Sequence, residues 1–254
     1  MIDLLLTRGA VITVDPERRI LDDGAVAIDG GRIVAVGPSE ELEHTYAARK
    51  LVNCRYKLVM PGLVDAHGHG GHSLLKTIGA DTPNVWMRVV TPVYFHFVSD
   101  EFWYVEGLLS ALERLRFGVT CGLSVIGSQP RSDDPVFGSN HARAYAEVGL
   151  REVVAVGPCA PPWPHSVSRW VNGTRVRQEV SLDQALAGAE AVIERWHHGA
   201  DDRIRVFITP FTIVPSLLSN GPTPPDVGAV LSAHDREQAR RVRLIAQKYG
   251  TRIH

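Results

Sequence analysis

Apolar and polar positions along this chain follow two rhythms, with the change falling near residue 61. Up to there the runs are short and rich in β-branched residues: Leu4 to Val14, Ala25 to Asp29 and Ile33 to Val36. Asp29-Gly30-Gly31 between the last two is a hairpin turn signal. Glu40 to Ala48 reads as a short helical turn, and Lys57 to Met60 leads into a Pro61-Gly62 break. This stretch predicts a small all-β layer, too thin to make a good core alone.

Beyond Pro61, strand-like runs alternate with helical ones. Strands are predicted at Leu63–Ala66, Val119–Ile126, Glu152–Val156 and Ile204–Thr209, and Thr251–His254 reads as the opening of a fifth. Helices are predicted at Asp100–Arg116 (N-cap Ser99 or Asp100, stop at Gly118), Ser139–Val148 (closed by Gly149), Ser181–Trp196 and Ala233–Lys248. Residues 70–99 are long for a plain connection and predict helical turns around Pro83 to Phe97. Strands alternating with helices of this length indicate βα units and a parallel sheet. The Pro-rich segments Gly157 to Val176 and Pro210 to Ser232 each follow a strand, where such folds place their sites.

Composition narrows the class without choosing a function. With 44% hydrophobic and 22% charged residues among 254, the chain can bury a large core. A net charge of −1 gives no basis for attraction to nucleic acid or an anionic membrane, and neither is expected as a partner. No apolar run approaches the roughly 20 residues of a membrane span, and the N-terminus lacks the basic region of a signal peptide. Cys54, Cys121 and Cys159 are an odd, scattered set that reads as free thiols in a reducing, cytoplasmic setting. Cys121 is expected in the core of its strand, and Cys159 in a loop.

The chemistry gathers at Pro61-Gly62-Leu63-Val64-Asp65-Ala66-His67-Gly68-His69. Residues two apart on a strand share a face, so the His67 and His69 imidazoles can converge on one point. Neutral imidazole is a favoured ligand for zinc and comparable divalent metals. The bland alternative is two structural histidines at a strand end. Asp65 suits either orienting a ligand or bonding within the turn. Trp163 and His165 lie in a Pro-rich loop, either walling a pocket or packing on the rim. His96, His141, His197, His198 and His234 lie in helices or their flanks and read as surface or packing groups.

With that motif preceded by an Asp29-Gly30-Gly31-Arg32-Ile33-Val34-Ala35-Val36-Gly37 opening, the chain resembles the amidohydrolase superfamily, and most closely its cytosine deaminase, guanine deaminase and chlorohydrolase branch. Ser73-Leu74-Leu75-Lys76 and Leu115-Arg116-Phe117-Gly118-Val119-Thr120 fall where that family has similar patterns. The resemblance implies an α/β fold: a (β/α)8 TIM-type barrel over 61–254, only about its first half present, with a small β-sandwich portion over 1–60. It implies one divalent metal, zinc first and iron or manganese as alternatives, with His67 and His69 as ligands. A metal-activated water would then attack carbon–nitrogen or carbon–halogen bonds of a small cyclic or heteroaromatic substrate.

His72 falls near a position where relatives often carry a substrate-contacting Gln, so the resemblance makes it a substrate-binding candidate. Lys76 stands where relatives often have Arg. Phe211 stands where deaminase relatives often have a polar residue, which weakens a nucleobase as substrate. The binuclear branch bridges its metals with a strand 4 lysine; the only lysines here are Lys50, Lys57, Lys76 and Lys248, which favours the mononuclear branch. His254 resembles the approach to the strand 5 motif, either as its first, non-ligand histidine or, one step slipped, as the ligand. No catalytic acid or base is identified in the sequence. The chain is therefore expected to be a hydrolase or, alternatively, a catalytically incomplete half that acts with a complementary chain or as a homo-oligomer.

Overall fold

A computed structural model describes residues 1–70, 72–127, 131–210 and 233–254. The chain divides into two compact units, Met1–Gly62 and Leu63–His254.

The first unit is a five-stranded sheet. Strands β1 (Ile2–Ile12), β2 (Ile20–Asp29), β3 (Arg32–Pro38) and β4 (Ala48–Asn53) lie in the order β3-β2-β1-β4, and the short β5 (Leu58–Val59) also pairs with β1. The β2–β3 hairpin turns at Gly30-Gly31, both at positive φ, as the sequence predicts. A short helix, α1 (Ser39–Thr45), lays Leu42 on Ile2, Leu5, Ala25 and Ala27. Residues 48–53 form a strand parallel to β1, a pairing that local periodicity did not reveal.

The second unit is a parallel four-stranded sheet, β11-β8-β7-β6 in order, made of β6 (Leu63–Gly68), β7 (Val119–Val125), β8 (Arg151–Val156) and β11 (Ile204–Ile208). Strands joined through helices in sequential order are consecutive strands of a (β/α)-barrel. The helices are α2 (Pro83–Val85), α3 (Thr91–His96), α4 (Asp100–Arg116), α5 (Pro135–Val148), α6 (Leu182–Trp196) and α7 (Ala233–Tyr249), and a π-helical turn, Trp86–Val90, joins α2 to α3.

Local chemistry sets the helix ends. The Ser99 hydroxyl accepts the Phe102 amide to start α4. Asp134 caps α5 with Pro135 in its first turn, and Gly149 ends it in the left-handed region at φ 87°. A reciprocal Ser181–Gln184 capping box opens α6.

Period-two alternation divides each strand between two environments. Glu152, Val154 and Val156 of β8 and Ile204, Val206 and Ile208 of β11 are buried, and all but Glu152 join the main hydrophobic core with Trp103, Phe137 and Tyr145 from the helices. The opposite face carries a smaller cluster of Leu123, Val125 and Ala155, with Val153 and Phe207 beside it. The four predicted strands all form.

The segment after β8 departs from its reading as a plain Pro-rich loop. It carries an antiparallel hairpin, β9 (His165–Val171) and β10 (Thr174–Val180), turning at Asn172-Gly173, both at positive φ. Asn-Gly is the strongest short hairpin signal, and Pro161 to Pro164 upstream masks it. Cys121 is only half-buried rather than in the core, whereas Cys159 is buried; all three thiols are free. Among the described residues no helix is long and apolar enough to cross a membrane.

Candidate active site

His67 lies in β6 and His69 just past its end, at the C-terminal edge of the parallel sheet. Their ring centroids are 5.2 Å apart at an interplanar angle of 83°. His69 donates Nδ1–H to the Gly127 carbonyl at 2.8 Å, which fixes its tautomer and leaves Nε2 as the lone-pair nitrogen. Burial lowers its pKa, so the ring stays neutral, the form that binds a metal. On the other side, the His254 ring stacks on His67 at 5.1 Å, and His67 Nδ1 and His254 Nε2 share a hydrogen bond of 2.9 Å. Burial and the neighbouring His67 lower the His254 pKa. The His254 backbone is held in place by its amide, which donates to Ile208 O, and by its carbonyl, which accepts from Thr209 Oγ1. The predicted start of a fifth strand thus appears as a parallel bridge between Ile253 and Ile208.

His72 stacks almost parallel on His69, 4.8 Å between centroids at 3°, with Trp86 edge-on at 4.4 Å. Burial, and then His69, push its pKa down to about 3. The turn carrying it is anchored from below by Glu106 of α4, whose carboxylate accepts the Ser73 and Leu74 amides at 2.9 and 3.0 Å. Burial raises the Glu106 carboxyl to about 7 against the pull of those two amides. Lys76 forms an ion pair with Glu113.

Sequence reasoning missed Glu106, Gly127 and Trp86. A signal existed for Glu106: it shares the buried stripe of α4 with Trp103, Ser110 and Ala111, where a lone carboxylate must be doing something other than facing water. Gly127 acts through its carbonyl and Trp86 through a long-range contact, and neither leaves a local mark.

The other candidates make their ring and hydrogen-bond contacts outside the four-imidazole cluster. Trp163 Nε1 donates to Gln238 of α7, His165 is bonded to the Ala160 carbonyl, and both line a small cavity with Phe95, Cys159 and Val167. His141 is fully buried and packs on Tyr145, His96 contacts Ser168, and His198 pairs with Asp202. The Pro210 to Ser232 loop, with Phe211, lies outside the described residues apart from Pro210. Among the described residues no group of three or more His, Cys, Asp or Glu is arranged to hold a metal ion. What is assembled is a cluster of four imidazoles, two of them anchored through backbone groups.

The structure thus places a histidine pair at the C-terminal end of the first strand of the parallel sheet. A family model, the imidazolonepropionase-like composite domain of bacteria, matches residues 24–48. A 5-methylthioadenosine/S-adenosylhomocysteine deaminase of Syntrophobacter fumaroxidans is 30% identical, matching 98% of this chain and 53% of its own length. The protein of the same name in Lawsonia intracellularis is 27% identical over 98% of this chain and 52% of its own length. Among solved structures, an adenosine deaminase from Xanthomonas campestris with bound zinc superposes with a TM-score of 0.73 at 25% identity, covering 100% of this chain and 48% of that one. Escherichia coli guanine deaminase shares the fold with a TM-score of 0.64 at 18% identity, covering 98% of this chain and 51% of its own. The chain belongs to the amidohydrolase superfamily. It spans about half the length of the curated relatives it matches.

Proposed function

We propose that this chain contributes the first part of a mononuclear metal-dependent hydrolytic site, with His67 and His69 as ligands to one divalent metal, zinc foremost and iron or manganese as alternatives. The observation that carries the reading is the anchoring of His69. A metal-ligating histidine characteristically donates its other ring N–H to a carbonyl or carboxylate, and His69 does so to Gly127 at 2.8 Å. An all-imidazole donor pair suits zinc or iron, so the residues fit the group. Bound there, a divalent cation would supply Lewis acidity and a nucleophile at neutral pH.

His72 is proposed to contact substrate, with Trp86 behind it. A flat heteroaromatic ring suits this wall of stacked rings. The deaminases among the relatives favour hydrolysis of a carbon–nitrogen bond, with an aminopurine nucleoside as the first substrate class to try; carbon–halogen hydrolysis is the alternative. Further ligands and the catalytic acid and base are proposed to come from polypeptide outside the described residues. His254, hydrogen-bonded to His67, is proposed as the ring that orients that ligand.

The test is metal stoichiometry of the full chain after chelator stripping and reloading with zinc. One ion per chain, lost in His67→Ala and in His69→Ala, is the expected result. Binding below a tenth of an ion, or binding indifferent to both substitutions, overturns the reading. Deamination of adenine nucleosides, followed by the ultraviolet shift on loss of the amino group, then tests the substrate class.

A further inference from the structure

Beneath the histidines, on the helix side of the sheet, one side chain meets three strands at once. Arg114 lies in the last turn of α4 and presents the rigid fork of its guanidinium to the sheet. Nη2 donates to Asp65 Oδ2 of β6 at 2.6 Å and to the Leu123 carbonyl of β7 at 3.1 Å. Nε adds a second bond to Asp65 Oδ2 at 3.1 Å. Nη1 reaches Ser124 Oγ of β7 at 2.6 Å, the Tyr145 hydroxyl of α5 at 2.9 Å and Glu152 of β8 at 2.9 Å. Asp65 in turn accepts the His67 amide on its other oxygen at 3.3 Å.

The glycines show how closely the group is seated. A Cβ on Gly68, the residue between the two histidines, would lie 2.7 Å from Arg114 Nη2 and 3.0 Å from Asp65 Oδ2. A Cβ on Gly122 of β7 would lie 2.6 Å from both Arg114 Nη1 and Glu152 Oε2. Neither glycine has positive φ, so backbone conformation does not require them. The guanidinium occupies the space a side chain would take. Burial works to lower the Arg114 pKa, but Glu152, Tyr145 and Asp65 hold it raised.

We infer that Arg114 is a positioning residue for the His67–His69 pair: seated against Gly68, it fixes the bend of β6 through Asp65 and so sets the angle between the two imidazoles. β6 needs such a device. Its pairing with β7 is irregular between Asp65 and Gly68, the stretch from which His67 projects. A regular ladder does not define the backbone there, and the Asp65–Arg114 bond does. The inference rests on the proposed ligand role of the two histidines for its consequence, but not for its geometry.

The experiment uses the full chain with Arg114→Met and Arg114→Lys, read in two ways. In metal-free protein, long-range nitrogen–proton NMR of the imidazoles is expected to show shifted His67 and His69 signals in both variants, with His165 and His197 unchanged. In zinc competition titrations, the dissociation constant is expected to rise roughly ten- to a hundredfold, the usual result of losing an outer partner of a ligand. A lowered melting temperature with unchanged His67 and His69 signals and unchanged zinc affinity would make Arg114 a structural staple only, and overturns the inference. Should Arg114→Met fail to fold, Gly68→Ala leaves every charge in place, displaces the guanidinium, and carries the same readouts. If the unaltered chain binds no zinc, the metal reading has failed on its own terms, and the metal-free spectra still decide the role of Arg114.

Discussion

The two edge strands of the barrel sheet are held in place by opposite means. On β11, Ile204, Val206 and Ile208 are wholly buried in the core against the helices. On β6, Leu63 and Val64 are 52% and 70% exposed, and the strand is held by its ladder to β7 and by the Asp65–Arg114 ion pair. Apolar burial fixes β11 through many weak contacts, none of which sets a single angle. The strand that carries the histidines is fixed by a few directional bonds. The ligand role proposed for the two histidines needs an angle more than it needs stability, and a charged fork supplies one.

Perturbing the two edges should therefore give different responses. The largest effect is expected on β11: Ile204→Ala should cost about 2–5 kcal/mol in urea unfolding, the range for truncating a buried aliphatic side chain, with zinc affinity of the surviving native fraction unchanged. On β6, Asp65→Asn should cost less, about 1–3 kcal/mol, because it weakens a charge-assisted hydrogen bond rather than opening a cavity. It should nonetheless move the imidazole signals that Ile204→Ala leaves alone.

Acid should attack the β6 end of the sheet. His141 is fully buried, its ring lies against Gly70 just past His69, and burial lowers its pKa to about 3. The unfolded chain binds that proton near pH 6.5, so the stability of the neutral ring is present above pH 6.5 and is lost as pH falls toward 3. His141→Leu should flatten the stability–pH curve between pH 6 and 4 by up to about 1.4 kcal/mol per unit. Glu106 works with the opposite sign: its raised pKa means that stability falls as pH rises from about 4.5 to about 7. The smallest effect is expected for Val64→Ser, within about 0.5 kcal/mol for an exposed side chain. A cost of 2 kcal/mol or more, growing with protein concentration, would show instead that a second polypeptide covers this face.

Much of the fold was legible because the determinants are local. The change of period at Pro61, the Asp29-Gly30-Gly31 turn, the caps at Ser99 and Ser181, and the stop at Gly149 each act within a few residues. Strand β4 was not legible, since it exists by pairing with β1 some 46 residues away. The His67-x-His69 pair could be read because alternation along one strand is itself local. What surrounds the pair could not.

The sequence by itself determined the alternation of the four main strands with their helices beyond Pro61, the Gly30-Gly31 turn and the presence of two imidazoles at one strand end, because each depends on neighbours along the chain. Only the tertiary structure decided that His254, 187 residues on, bonds His67, and that Gly127 holds the His69 tautomer. It alone also decided that Arg114 lies in the space left by Gly68. Each of these is a meeting of side chain or backbone groups across elements, set by packing distance and hydrogen-bond direction, and no spacing along the chain encodes it.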